Sequence, residues 1–143
     1  MNECVFCAIG RGEAERSLVF EDDDLVVVMD IEPVNPGHAL VLPKGHARRL
    51  ADLDDSGLAR LFVAAARTAA ALRGSSVRCE GVNLFVADGQ AAGQEVDHVH
   101  VHVVPRFEGD PFRIERDGGW EQRPRAELDD GTRSLRSAWG AAA

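Results

Sequence analysis

Three of the chain's five histidines stand at alternate positions in His98-Val99-His100-Val101-His102-Val103-Val104. A neutral imidazole has a free lone pair near neutral pH, so such residues can attack phosphorus, move protons or ligate a metal. Attack on phosphorus leaves a phosphorylated or nucleotidylated histidine that water can open. Flanking imidazoles can donate to phosphate oxygens or assist the leaving group. Alternation with β-branched residues predicts a strand, with Val99, Val101 and Val103 on a core face and the histidines on the other. Neighbouring histidines then stand about 6–7 Å apart and the outer pair about 13 Å apart. A single ion with ligands at about 2 Å holds two neighbours but not all three, so at least one histidine has another task.

Two further segments carry chemistry. Cys4-Val5-Phe6-Cys7 is a Cys-x-x-Cys, which by itself fits half a metal site, a redox pair or two inert thiols; a tetrahedral metal needs two more ligands. The loop Asp88-Gly89-Gln90-Ala91-Ala92-Gly93-Gln94 leads into the histidine run and can turn backbone N–H groups toward a phosphate.

The elements that must position these residues are short. Residues 4–10 read as a short apolar turn or helix. Leu18–Phe20 and Leu25–Met29 read as a hairpin around the acidic turn 21–24. After the loop 33–37, residues 38–42 read as a strand stopped by Pro43. Leu58, Leu61, Phe62, Ala65, Ala69 and Leu72 form a helical stripe, so 54–73 is the one long helix, capped by Asp54 or Asp55 and ended by Gly74. Val82–Val86 is a further strand. The pattern predicts an α+β domain: a five-stranded, mainly antiparallel sheet with helices on one face. It fades after Phe112, so residues 1–112 are the domain and 113–143 a divergent extension of it, with a short helix around 128–139.

A length of 143 residues allows one core. A net charge of −8 with pI ≈ 5.0 argues against general nucleic-acid binding, which relies on Lys and Arg. No run approaches the roughly 20 apolar residues of a membrane span, and the N-terminus lacks a leader pattern, so the expected location is the cytoplasm. Three cysteines argue against a disulfide framework.

The run His-Val-His-Val-His-Val-Val resembles the signature of the histidine triad (HIT) family. Phe20-Glu21-Asp22, Met29-Asp30-Ile31-Glu32-Pro33, Pro36-Gly37-His38, Val41-Leu42-Pro43-Lys44, Asp88-Gly89, Ala92-Gly93-Gln94 and Val103-Val104-Pro105-Arg106 resemble its other blocks, in order, over roughly residues 4–112. The resemblance implies a nucleotide hydrolase or nucleotidyl transferase acting at the α-phosphate of a nucleoside phosphoramidate, dinucleoside polyphosphate or related compound. It implies that His100 is the nucleophile, that His102 contacts the phosphate and helps the leaving group, and that His38 supports the triad. Gly93 would help bind the nucleotide, and Gln94 would bind near the scissile or bridging group. Asp30 would accept from the ribose hydroxyls, and Ile9, Phe20 and Ile31 would wall the base.

Some family members resemble this chain in having the Cys-x-x-Cys, and there two histidines complete a structural zinc site. The matching residues here are His46 and His98, joining Cys4 and Cys7. A homodimer is also implied. Two positions depart from the pattern: Ala87 stands where Asn or Gln is frequent, and Glu95 where Ser or Thr is usual, so substrate contacts are expected to differ there. Two rival readings remain at this stage: a metal-dependent hydrolase with His98 and His100 as adjacent ligands, and a nucleotide-binding module with little turnover.

Overall fold

The computed structural model describes residues 3–142, so Met1 and Asn2, used above to read the N-terminus, lie outside the described residues. Residues up to Phe112 and residues from Arg113 onward form two separate compact units. The first contains α1 (Val5–Arg11), β1 (Leu18–Glu21), β2 (Leu25–Met29), β3 (Ala39–Pro43), α2 (Asp55–Arg73), β4 (Gly81–Phe85) and β5 (Val101–Arg106). The strands form one sheet in the order β1-β2-β3-β5-β4, and every neighbouring pair is antiparallel. This is the expected α+β architecture.

Local chemistry explains the elements. Asp22 Oδ1 accepts from the N–H groups of Asp24 (2.8 Å) and Leu25 (2.9 Å), which folds the acidic run into the first hairpin turn. Asp54 caps α2 by accepting from the Gly57 N–H at 2.7 Å.

β2 and β3 are nearly continuous apolar runs, the pattern of strands buried on both faces. Leu25, Val27, Ala39 and Val41, with Val101 and Val103, pack under Leu61, Ala65, Ala69 and Leu72 of α2. Val26, Val28, Leu40 and Leu42 pack with Phe6 of α1. Helices on one face were expected. The structure puts α1 on the face opposite α2, because those four apolar side chains also need cover.

The histidine run also differs from its pattern. β5 begins only at Val101, so His98 and His100 precede the ladder. The partner strand β3 ends at Pro43, which has no N–H to extend the pairing. The Val99 N–H instead donates to Ala47 O at 2.7 Å.

At the far end of the unit, Asp110 accepts from Arg106 Nε (2.6 Å), Arg106 Nη2 (2.8 Å) and Asn35 Nδ2 (2.9 Å). The Arg106 guanidinium holds this buried carboxyl well below the usual carboxylate range. The second unit carries a helix, α3 (Arg125–Ala142), longer than the one expected from sequence, with Leu128, Leu135 and Trp139 exposed along it.

Gly37 has φ +98°, and a Cβ there would lie 2.6 Å from Val77 Cγ1 and 3.2 Å from Pro105 Cγ. It delivers the chain into His38. Gly37→Ala is expected to lower stability by about 2–4 kcal/mol through strain plus overpacking, read as a shift in the urea midpoint. A midpoint equal to the parent's would contradict this.

Candidate active site and metal centre

Strand alternation assembles the site. Val26 and Val28 face α1, so Asp30 at the end of β2 belongs to that face; Leu40 and Leu42 face it too, and so does His38. Leu40 pairs with His102 across β3 and β5. Asp30, His38 and His102 thus meet from three strands.

Hydrogen bonds assign the proton on each imidazole. The Val34 N–H donates to His38 Nδ1 at 3.1 Å, so the His38 proton is on Nε2. Nε2–H points at His102 Nδ1 (2.9 Å), with Asp30 Oδ2 at 3.5 Å. His102 therefore accepts at Nδ1 and carries its proton on Nε2. His100 is held differently: its Nδ1–H donates to His98 O at 2.8 Å, which leaves the Nε2 lone pair free. The His100 and His102 rings lie 4.8 Å apart. One imidazole thus offers a nucleophilic nitrogen, and its neighbour offers an N–H.

Burial explains the electrostatics. It pushes His102 down to about 4, helped by the charges His100 and His38 would carry and opposed by Asp30. His38 is lowered by the same burial, again against Asp30. Both are neutral near pH 7, as the hydrogen-bond chain requires.

A second cluster lies beside the first. Cys4 Sγ and Cys7 Sγ are each 3.5 Å from His98 Nδ1, and Cys7 Sγ is 3.2 Å from His46 Nδ1. The four donor atoms lie within 4.8 Å of one another. A tetrahedron with bonds of about 2.3 Å to sulfur and about 2.0 Å to nitrogen has N–S edges of about 3.5 Å. His98 Nε2–H donates to Pro43 O at 2.8 Å, so its lone pair is on Nδ1, facing the sulfurs. Burial first, then the hydrogen bond and charge of Cys4, raise the Cys7 thiol, so its thiolate needs a cation nearby. The donor set fits zinc. Asp30, His38 and His102 also cluster closely enough to hold an ion, but the proton on His38 Nε2 makes them a hydrogen-bond chain. His100 belongs to neither donor set.

The remaining residues are arranged less simply. Gln94 Oε1 accepts from the Gly89 N–H (2.8 Å), and its Nε2 donates to Arg48 O (2.9 Å) and Val96 O (3.0 Å). The N–H groups of Gly93 and Gln94 also bond within the loop, to Gln90 O and Gly89 O. Ile9 packs with the core on the triad face. Ile31 is 95% exposed. Phe20 is not gathered with the histidines: it pairs with Val27 and lines a cleft of about 690 Å³ against α2, because the β1 register turns it to the other sheet face. Glu95 is exposed. Sequence reasoning missed two rings. Phe6, between the cysteines, has its ring 4.9 Å from that of His100. Phe85 stacks on His102; its only sequence signal is its place in the strand before the triad.

A model of the HIT domain matches residues 11–109 of the chain. The chain belongs to the HIT family. Among HIT proteins, it is 39% identical over 107 residues to an uncharacterized HIT-like protein of Methanocaldococcus jannaschii, covering 75% of this chain and 81% of that one. An adenylylsulfatase of Arabidopsis thaliana is 36% identical over 109 residues, 76% of this chain and 55% of the relative. A zinc-bound histidine triad family protein from Mycobacterium smegmatis superposes with a TM-score of 0.74 at 37% identity, over 94% of this chain and 96% of that one. No helix among the described residues of this HIT protein is long and apolar enough to cross a membrane.

The tautomers set a pH dependence. Unfolded histidine titrates near about 6.5 and folded His102 near 4, so between these values the unfolded chain binds the additional proton. Stability is therefore expected to fall as pH drops through that window. Nitrogen-resolved NMR at pH 7 should find His100 protonated on Nδ1, with His38 and His102 protonated on Nε2. A His102 midpoint near 6.5 would refute the assignment.

Proposed function

We propose that this HIT protein is a nucleotide hydrolase or nucleotidyl transferase that works through a covalent nucleotidyl-histidine on His100. The observation that carries this reading is the His100 ring, tethered by Nδ1–H to a backbone carbonyl, with its Nε2 lone pair beside an imidazole that has its proton on Nε2.

The His100 Nε2–phosphorus bond forms as the bond from phosphorus to the leaving group breaks, and the electron pair departs with that group. Positive charge developing on the His100 ring is stabilised by the carbonyl of His98. The Nε2–H of His102 donates to the phosphate and the leaving atom. Water then attacks phosphorus and gives up a proton to solvent as the P–Nε2 bond breaks; that bond's electron pair returns to Nε2 and the nucleoside monophosphate is released. His38 and Asp30 hold the His102 tautomer, and the open oxygen capacity of Asp30 suits ribose hydroxyls. Ile9 and the exposed Ile31 are the apolar contacts offered to a base. Gly93 and Gln94 shape the adjoining loop.

Cys4, Cys7, His46 and His98 would hold a structural zinc, a closed set that ties α1 to the start of the triad segment. Residues 113–143 are read as an extension of the same domain. We take the protein as a homodimer, which its mass in solution checks. Candidate substrates are nucleoside phosphoramidates, dinucleoside polyphosphates and, on the name of the A. thaliana relative, adenylyl sulfate.

His100→Ala is expected to lower turnover by about 10³-fold or more while nucleotide affinity survives. Acid-labile label from an α-labelled substrate should appear on the parent protein and not on the variant. Survival of turnover in the variant would refute covalent catalysis, and a parent protein that binds nucleotide without turnover would favour a binding module. For the metal, elemental analysis should find about one zinc per chain, lost in Cys4→Ser; less than about a tenth of an equivalent in the parent protein would sink the zinc assignment.

A further inference from the structure

Phe85 ends β4 directly opposite His102 in the antiparallel ladder. The two rings are stacked, 4.3 Å between centroids and 15° between planes. No other ring of the site lies so nearly parallel to its neighbour: His38 meets His102 at 48° and His100 meets it at 60°. Phe85 is nevertheless 37% exposed, an unusual place for a large apolar side chain to be held flat against an imidazole. The core does not require it there, because β4 is an edge strand and Phe85 belongs to neither apolar cluster.

His102 has few other restraints. Cβ holds its Cγ and His38 Nε2–H holds its Nδ1, so the remaining play of the ring plane is the angular slack of one hydrogen bond, which a ring stacked on its face can remove. The groups facing His102 are His38 from the start of β3, Asp30 beyond it at the end of β2, His100 from its own segment and Phe85 from β4. Of these, only Phe85 presses on a flat face, which both sets the plane of the ring and keeps water from that face.

We propose that Phe85 is a positioning residue for the leaving-group step: its stacked ring holds the plane of His102 so that Nε2–H faces the atom that departs from phosphorus. The proposal rests on the role of His102 given above. Burial is the largest cause of the depressed titration of His102, and the stacked Phe85 ring is part of the cover on that imidazole. A ring that is loosened and rehydrated would donate from a scattered set of directions and take up a proton at higher pH.

The test compares Phe85→Leu, which keeps bulk without a planar face, with Phe85→Tyr, which keeps the stack and leaves its hydroxyl at an already exposed edge. The substrate is an adenosine phosphoramidate. Phe85→Leu is expected to reduce kcat about tenfold with KM within about twofold, and Phe85→Tyr to restore kcat to near the parent value. NMR supplies a readout independent of turnover. In the parent and in Phe85→Tyr, the His102 ring protons should be shifted upfield by the stacked ring, and His102 should titrate near 4. In Phe85→Leu the upfield shift should disappear and the midpoint should move toward 6.5. A folded Phe85→Leu with parental kcat, ring shifts and midpoint would overturn the proposal, and so would failure of Phe85→Tyr to restore them. If Phe85→Leu does not fold, absence of the upfield shift in the parent protein alone overturns it. If the parent protein turns over no nucleotide, the reading of His102 as a leaving-group residue fails, while the ring-shift and titration arms still decide whether Phe85 governs its plane.

Discussion

A neutral imidazole has one N–H and one lone pair, and two backbone carbonyls decide which nitrogen carries which. Pro43 O takes the Nε2–H of His98, and His98 O takes the Nδ1–H of His100. Histidines two residues apart therefore expose opposite nitrogens. His98 turns Nδ1 to the cysteines and His100 leaves Nε2 free. The rest of the unit surrounds these nitrogens: α1 carries the thiols to His98, while the end of β2, the start of β3 and strand β4 bring Asp30, His38 and Phe85 around His102, the neighbour of His100. Because these are hydrogen bonds to carbonyls, which only accept, the assignment does not depend on any titrating neighbour.

Pro43 has two roles in this arrangement. Lacking an N–H, it ends β3 and frees the segment 98–100 from the ladder. Its carbonyl, released from strand pairing, becomes the acceptor for His98. The same sheet is apolar on both faces, so α1 is needed as cover as well as for its cysteines, and the Cys4–Cys7–His46–His98 cluster sits where packing already demands a helix.

Much of this was legible in advance. The hairpin at 21–24, the capped helix from Asp54 and the five strands follow from local patterns, because turn chemistry and hydrophobic period act over a few residues. The spacing of the histidines excluded one shared ion, and the blocks resembling HIT proteins pointed to His38, His46 and Asp30. Phe20 lies toward α2 and not beside the histidines because the register of β1 is irregular, and a one-residue slip reverses the face of a side chain. The histidine run was read as one strand because alternation cannot reveal where its partner strand stops. Phe85 escaped notice because stacking on His102 depends on which strand lies next to β5.

The sequence by itself determined the element types, the family and the donor chemistry of each histidine and cysteine, since these reside in residue type and short spacing. Only the tertiary structure decided which nitrogen of each imidazole is occupied and which is free. Tautomer, lone-pair direction and burial depend on contacts between residues far apart in the chain: Pro43 with His98, His38 with His102, Cys7 with His46. Such contacts exist only once the sheet order is set. The chemistry of an imidazole is written in the residue, but which of its nitrogens acts is chosen by whatever the fold places against the other.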